Sequence, residues 1–322
     1  MSARLIHTGQ VIVDVVMTVP AVPEPGGDVI ATSLDETAGG GLNVIVAAIR
    51  DELPVVFTGR FGSGHYGSIV GDALAASGAT IVQPEPAVHD SGFCIALVDA
   101  NTERTFVTYP GAESELTISD LDAAQVNSAD LVYVTGYGLA HPSNAEALTA
   151  WLPTLPEDTT VFFDPSPLIG LLDPRLVETI LSRSDVVSVN LREGISMTGE
   201  RDAESAARAL AARVRPTAHA VVRDGADGCW VAGGGQVPEL VPGFEVDAVD
   251  SNGAGDAHAG VLLAGLSRGL DVYAAARRAN AAAALAVTER GPATAPLRAR
   301  TDELVDAGGT STHRRESSVH RQ

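Results

Sequence analysis

From about residue 116 the chain alternates short β-branched or apolar runs with helical segments, and this alternation restricts the fold more than any other feature. Leu131–Thr135, Val161–Asp164, Val186–Asn190 and Ala220–Arg223 read as strands. Ser143–Leu152, Arg175–Ser182 and Ala203–Arg213 read as helices between them. Strands separated by helices predict a parallel sheet with crossover helices on both faces. Ligands of such sheets sit beyond the carboxyl ends of the strands. Asp164, Asn190 and Arg223 all close predicted strands, so they are expected to meet at one crevice.

The N-terminal third has a different texture. Leu5 to Val16 reads as one strand, with Asp14 where an apolar residue would fit better. Pro20, Pro23, Pro25 and Gly26–Gly27 mark a turn-rich excursion, followed by a short strand over Asp28–Glu36. Phe93–Asp99 and Glu103–Tyr109 flank Ala100–Asn101–Thr102 as a hairpin. Strands this short do not suit a buried parallel sheet, so a small secondary sheet is expected. Trp230–Val231 with Gly233, Gly234 and Gly235 reads as a late hairpin. From Gly308 onward the chain is rich in Ser, Thr, Arg and His without apolar periodicity, which reads as a disordered tail.

One segment carries chemistry. Asp250-Ser251-Asn252-Gly253-Ala254-Gly255-Asp256 runs into the small, apolar stretch Ala257–Leu266, a glycine turn opening a helix. The N–H groups of Gly253, Ala254 and Gly255 would point at an anion, with the helix dipole adding positive potential. Asp256, in the first helical turn, can take a proton from a hydroxyl attacking that anion. Anion cradle and base together suit phosphoryl transfer to an alcohol. Taken alone, the same residues would also serve as a helix cap.

Composition narrows the chemistry further. All 21 basic Lys/Arg positions are arginine, which excludes a P-loop lysine, a Schiff base and the strand lysine of protein kinases. A net charge of −20 argues against nucleic acid or an anionic membrane as partner. An anionic nucleotide must then be held locally, by helix N-termini and a divalent cation. Cys94 and Cys229 lie far apart in sequence and show neither a framework nor a metal spacing. With no cationic leader and no apolar run of spanning length, a cytoplasmic location is expected.

Three further motifs have competing readings. Gly39-Gly40-Gly41-Leu42-Asn43 enters a helix over Val44–Ile49; it is either a flexible turn with an Asn cap or a polyol site. Asn190 and Glu193, three apart after a strand, could position a Mg²⁺ water shell, or form a capping box. Gly62-Ser63-Gly64-His65-Tyr66-Gly67 satisfies G-x-G-x-x-G. The acid that a dinucleotide site needs about 20 residues on would be Glu85, which lies between Pro84 and Pro86, and prolines spoil a central strand.

In order, these pieces resemble the ribokinase-like sugar kinases of the phosphofructokinase-B family, from about Leu5 to Pro296. The match consists of Asp14; Gly39, Gly40 and Asn43; the Gly62–Gly67 segment; Asn190 and Glu193; Gly225 and Gly228; the 250–256 signature; and Asn280, Gly291 and Pro296. The resemblance implies a three-layer α/β/α domain over residues 1–305 with a mostly parallel sheet. It also implies a small β lid from about 11–38 and 91–111, with 306–322 as the tail. It implies an ATP-dependent kinase acting on a primary hydroxyl of a sugar or related polyol. Asp256 would be the base, and Gly253, Ala254 and Gly255 the anion hole. Asp14, Gly39, Gly40 and Asn43 would bind the acceptor, and Asn190, Arg223, Gly225, Gly228 and Asn280 the nucleotide. Glu193 and Asp250 would serve Mg²⁺. The family also suggests a homodimer through the lid and, in some members, a monovalent cation such as K⁺. Ser251 and Asn252 depart from the usual residues near that cation. The glycine element lacks the lysine that ribokinases proper often carry, which counts against ribose as the acceptor without naming a replacement. A nucleoside kinase of the same fold and a non-catalytic sugar or nucleotide sensor are the alternatives; the intact base argues against the sensor.

Overall fold

The computed structural model describes residues 2–85, 87–101, 103–233 and 235–308. Thr102, Gly234 and 309–322, where two expected loop tips and most of the expected tail fall, lie outside the described residues. In chain order the first elements are β1 (Leu5–His7), β2 (Val11–Thr18), β3 (Ser33–Gly40), α1 (Leu42–Arg50), β4 (Val55–Phe57), α2 (His65–Ser77), β5 (Thr80–Ile81), β6 (Phe93–Val98) and β7 (Arg104–Tyr109). Next come α3 (Ile118–Asp122), β8 (Leu131–Thr135), α4 (Gly136–Leu139), α5 (Pro142–Trp151), β9 (Thr160–Asp164), α6 (Pro174–Arg183), β10 (Val186–Asn190), α7 (Leu191–Thr198) and α8 (Ala203–Ala211). The chain closes with β11 (His219–Arg223), β12 (Gly228–Gly233), β13 (Glu239–Pro242), α9 (Ala254–Ser267), α10 (Val272–Ala286) and α11 (Arg298–Ala307).

Nine strands form one sheet in the order β13-β12-β11-β10-β9-β8-β1-β4-β5, parallel except where β12 runs against both of its neighbours. Side chains alternate between two buried faces, as a sheet covered on both sides requires. Leu131 and Tyr133 of β8 join one core with Leu42, Val44 and Ile45 of α1 and Leu262 and Leu263 of α9. Val132 and Val134 join the other, with Trp151 of α5, Ile180 of α6 and Leu210 of α8. The parallel sheet with helices on both faces expected from the alternation is thus realised, with α5, α6 and α8 within one or two residues of their expected bounds.

Strands β3, β2, β6 and β7 make a separate four-stranded sheet, the lid. The single strand expected over Leu5–Val16 is two strands in two sheets. Its first residues pair with β4 and β8, the chain turns at Gly9 (φ +114°), and Val11 onward enters the lid. The strand expected over 28–36 begins later and continues through Gly40, because pairing with Val11 and Ile12 draws the glycines into the sheet. Helix α11 runs to Ala307, two residues into the tail expected from residue 306.

Candidate active site

At the carboxyl ends of β9, β10 and β11 lie Asp164, Asn190 and Arg223, the last two directly opposite in register. The crevice expected there forms, and α9 aims its N-terminus into it. Gly253 is the residue before α9 and holds φ +73°, which a side chain resists. The turn's first i to i+4 bond is Ala257 N–H to Gly253 C=O at 2.8 Å, and Ala254 N–H turns back to Ser251 C=O at 3.4 Å, so the Gly255 and Asp256 amides are the ones the helix start leaves without a helical partner.

Asp256 sits in this first turn. Its Oδ2 accepts from Asn43 Nδ2 at 2.9 Å, while Asn43 Oδ1 accepts the Ala293 N–H at 2.8 Å. Burial pushes the Asp256 carboxyl up to about 7; Asn43 and Arg223 oppose the rise, and Asp164 and Asp14 add to it. A carboxyl with that proton affinity is matched to general base work near neutral pH.

Asp14 comes from the lid strand β2, opposite Thr37 of β3 and Cys94 of β6. Burial raises it to about 6 against the pull of Arg104. A Cβ on Gly39 would collide with its Oδ2, so the glycine there keeps the acid accessible. Asp14, Asn43 and Asp256 therefore share one electrostatic neighbourhood across the lid and the main domain.

Several expected residues are engaged within the protein. Asn190 and Glu193 form the capping box, with Asn190 N–H to Glu193 Oε2 at 2.8 Å and Glu193 N–H to Asn190 Oδ1 at 2.9 Å. Burial and Asp164 raise the Glu193 carboxyl, partly offset by the Asn190 N–H and Arg223. Asp250 accepts from the N–H groups of Asn252 (3.0 Å) and Gly291 (3.2 Å) and from Arg104 Nη2 at 3.3 Å. Burial raises this carboxyl, but those donors outweigh it and hold it below the usual range. Asp250 therefore organises its loop and meets the lid.

Asn280 is engaged within the protein too. It is buried and donates from Nδ2 to the carbonyls of Val241 (2.9 Å) and Pro242 (3.2 Å), tying α10 to β13. Gly225 and Gly228 shape the tight connection between β11 and β12. Arg223, expected against the nucleotide, lies between Asp164 and Glu193 at 3.6 and 3.7 Å. His258, two residues beyond Asp256 in α9, is buried, and burial takes its imidazole down to about 3.

The G-x-G-x-x-G segment holds an anion, and that anion belongs to the protein. The carboxylate of Asp90 accepts the N–H groups of Gly64 (3.1 Å), Tyr66 (3.1 Å) and Gly67 (2.7 Å) at the start of α2. A cradle filled by an internal carboxylate has no room for a dinucleotide phosphate. Sequence reasoning missed Arg104 altogether; an arginine opening an exposed strand carries no pattern of its own.

Among the described residues no three His, Cys, Asp or Glu side chains converge on a metal-sized site. The Asp164–Glu193 pair does fit a divalent cation held partly through water and phosphate, the usual manner of Mg²⁺. Two buried carboxylates there share one guanidinium, leaving net negative charge. No helix among the described residues is long and apolar enough to cross a membrane.

Comparison with known proteins agrees with this geometry. The family described as pfkB family carbohydrate kinase matches residues 2–300. An uncharacterized sugar kinase, YegV, of Escherichia coli K12 is 33% identical over 294 residues, 90% of each chain. The ribokinase of Thermotoga maritima superposes with a TM-score of 0.80 at 22% identity, covering 94% of this chain and 99% of that one. The fructokinase of Xylella fastidiosa, solved with bound ATP, gives 0.78 at 23% identity, covering 95% and 98%.

Proposed function

The chain belongs to the pfkB family of carbohydrate kinases, and from that premise we propose that it transfers the γ-phosphoryl group of ATP to a primary hydroxyl of a sugar or related polyol. The acceptor oxygen attacks the γ-phosphorus, the bond to the β,γ-bridging oxygen breaks and ADP leaves. The hydroxyl proton passes to Asp256. The Gly253 and Gly255 amides would face the charge developing on the transferring group, with the Ala254 amide, held by Ser251 C=O, joining them only if that 3.4 Å bond opens. One observation carries this reading: the Asp256 carboxyl, hydrogen-bonded to Asn43 at 2.9 Å and raised by burial to about 7, sits in the first turn of α9 at the crevice.

Asp14 and the backbone at Gly39 and Gly40 form the acceptor wall in this reading. Asn43 orients Asp256, with its second amide hydrogen left for the acceptor. Glu193 and Asp164 would hold Mg²⁺ through water, and the ion would neutralise charge on the β- and γ-phosphates. A monovalent cation such as K⁺ belongs beside residues 250–252, which activity in K⁺-free buffer tests. The exposed strand β7, where Phe106, Val107 and Tyr109 are each at least 59% accessible, is the face for a homodimer through the lid. The reaction is assigned to the cytoplasm.

The test is a screen for ADP release and thermal shift with Mg·ATP. Pentoses, ketohexoses, sugar acids, sugar phosphates and nucleosides are offered in parallel. Acceptor-dependent ADP release from a sugar, absent in Asp256→Asn, is the expected result. Turnover confined to nucleosides would move the assignment to a nucleoside kinase.

A further inference from the structure

Arg223 ends β11, opposite Asn190 of β10. Its side chain is 14% exposed. Nη1 lies 3.2 Å from Ser188 Oγ, 3.5 Å from the Gly255 carbonyl oxygen and 3.6 Å from Asp164 Oδ2. Nη2 lies 3.7 Å from Glu193 Oε2. The four acceptors come from β9, β10 and the first turns of α7 and α9. A planar, forked cation can reach all four at once, whereas a lysine ammonium would satisfy one or two of them.

The Gly255 carbonyl belongs to the first turn of α9, so Arg223 is seated against the turn that carries Asp256. It also divides its attraction between two carboxylates. With Arg223 present, the Asp164–Glu193 pair carries one net negative charge; without it, two.

We propose that Arg223 is a positioning residue that serves as a built-in counter-cation. It locks Asp164, Glu193 and the Gly255 carbonyl into one array, and it cancels enough charge that the array takes up a divalent cation only together with nucleotide phosphates. Mg²⁺ is ordinarily held by one or two carboxylates plus substrate phosphates, and Arg223 enforces that dependence. The nucleotide half of this proposal rests on the kinase reading; the metal half does not.

Binding of Mn²⁺, detected by electron paramagnetic resonance with no nucleotide present, tests the metal half directly. Arg223→Met should bind free Mn²⁺ about tenfold more tightly than wild type, a modest share of what one nearby unit charge can contribute. Adding Asp164→Asn to that variant should return the affinity to about the wild-type value. A residue that merely supported the fold would lower the melting temperature and leave Mn²⁺ affinity unchanged, and that result overturns the proposal.

Should Arg223→Met fail to fold, Arg223→Lys decides. It keeps the charge and loses the fork, so free Mn²⁺ binding stays at the wild-type level while Mn·ADP binding weakens about tenfold. Wild-type Mn·ADP binding in Arg223→Lys overturns the locking role. If no acceptor is phosphorylated in any screen, the kinase reading falls, yet free Mn²⁺ binding by Arg223→Met still upholds or overturns the metal half.

Discussion

The Asn43 side-chain amide donates to Asp256 Oδ2 at 2.9 Å across 213 residues of sequence, joining the first turn of α1 to the first turn of α9. Asn43 is itself held by the Ala293 N–H, so the Asp256 carboxyl is oriented by a residue that is oriented in turn.

Asp256→Asn should lower kcat by about 10²–10⁴-fold, the usual cost of losing a positioned base. Affinity for ATP, measured by calorimetry, should stay near wild type. Near-normal turnover in this variant would sink the assignment of the base.

The same carboxyl sets two pH dependences. The base must be ionised, so kcat/KM should rise as pH climbs through about 7. Stability should run the other way. A folded-state pKa raised above the unfolded value makes a contribution that is full below about pH 4 and lost as pH rises through about 7. Denaturant melts of wild type and Asp256→Asn should therefore diverge across that window, the variant gaining about 2–4 kcal/mol by pH 8. Parallel curves would show that Asp256 is ionised throughout.

Asn43→Ala removes the hydrogen bond that favours the ionised base. The acid limb of the pH–rate profile should move to higher pH, since the bond holds the Asp256 carboxyl down. An unshifted limb with a raised acceptor KM would place Asn43 on the acceptor alone.

Asp14→Ala should raise the acceptor KM far more than the KM for ATP if, as proposed, Asp14 on lid strand β2 lines the acceptor pocket. Steady-state kinetics with each substrate varied in turn provide the check. Equal changes in both constants would show the acceptor pocket to be elsewhere.

Glu193→Gln should lower turnover and flatten its dependence on Mg²⁺, and excess EDTA should abolish activity in the wild type. Full activity in EDTA would remove the metal from the reaction. Arg104→Ala is a separate probe of the lid. Its ion pair with Asp250 at 3.3 Å is partly exposed and worth at most about 1 kcal/mol. Amide exchange in β6 and β7 should nonetheless quicken, since the pair is a direct tie between β7 and the main domain.

The amino-acid sequence by itself determined the layers of this protein. Apolar periodicity is local, so β8 through β11 and helices α5, α6 and α8 were legible nearly residue for residue, while the short α4 and α7 were not. The lid hairpin and the glycine turn before α9 were legible for the same reason. The order of motifs was enough to indicate the family. Tertiary structure decided the rest, because a side chain's partner is chosen by distance in space. It split Leu5–Val16 between two sheets, filled the Gly62–Gly67 cradle with Asp90, and spent Asn280 on the carbonyls of β13. It also turned Asn43 toward Asp256 and set Arg223 between Asp164 and Glu193. No pattern within a window of residues carries those choices; they follow from which buried donors and charges the packed layers leave within reach of one another.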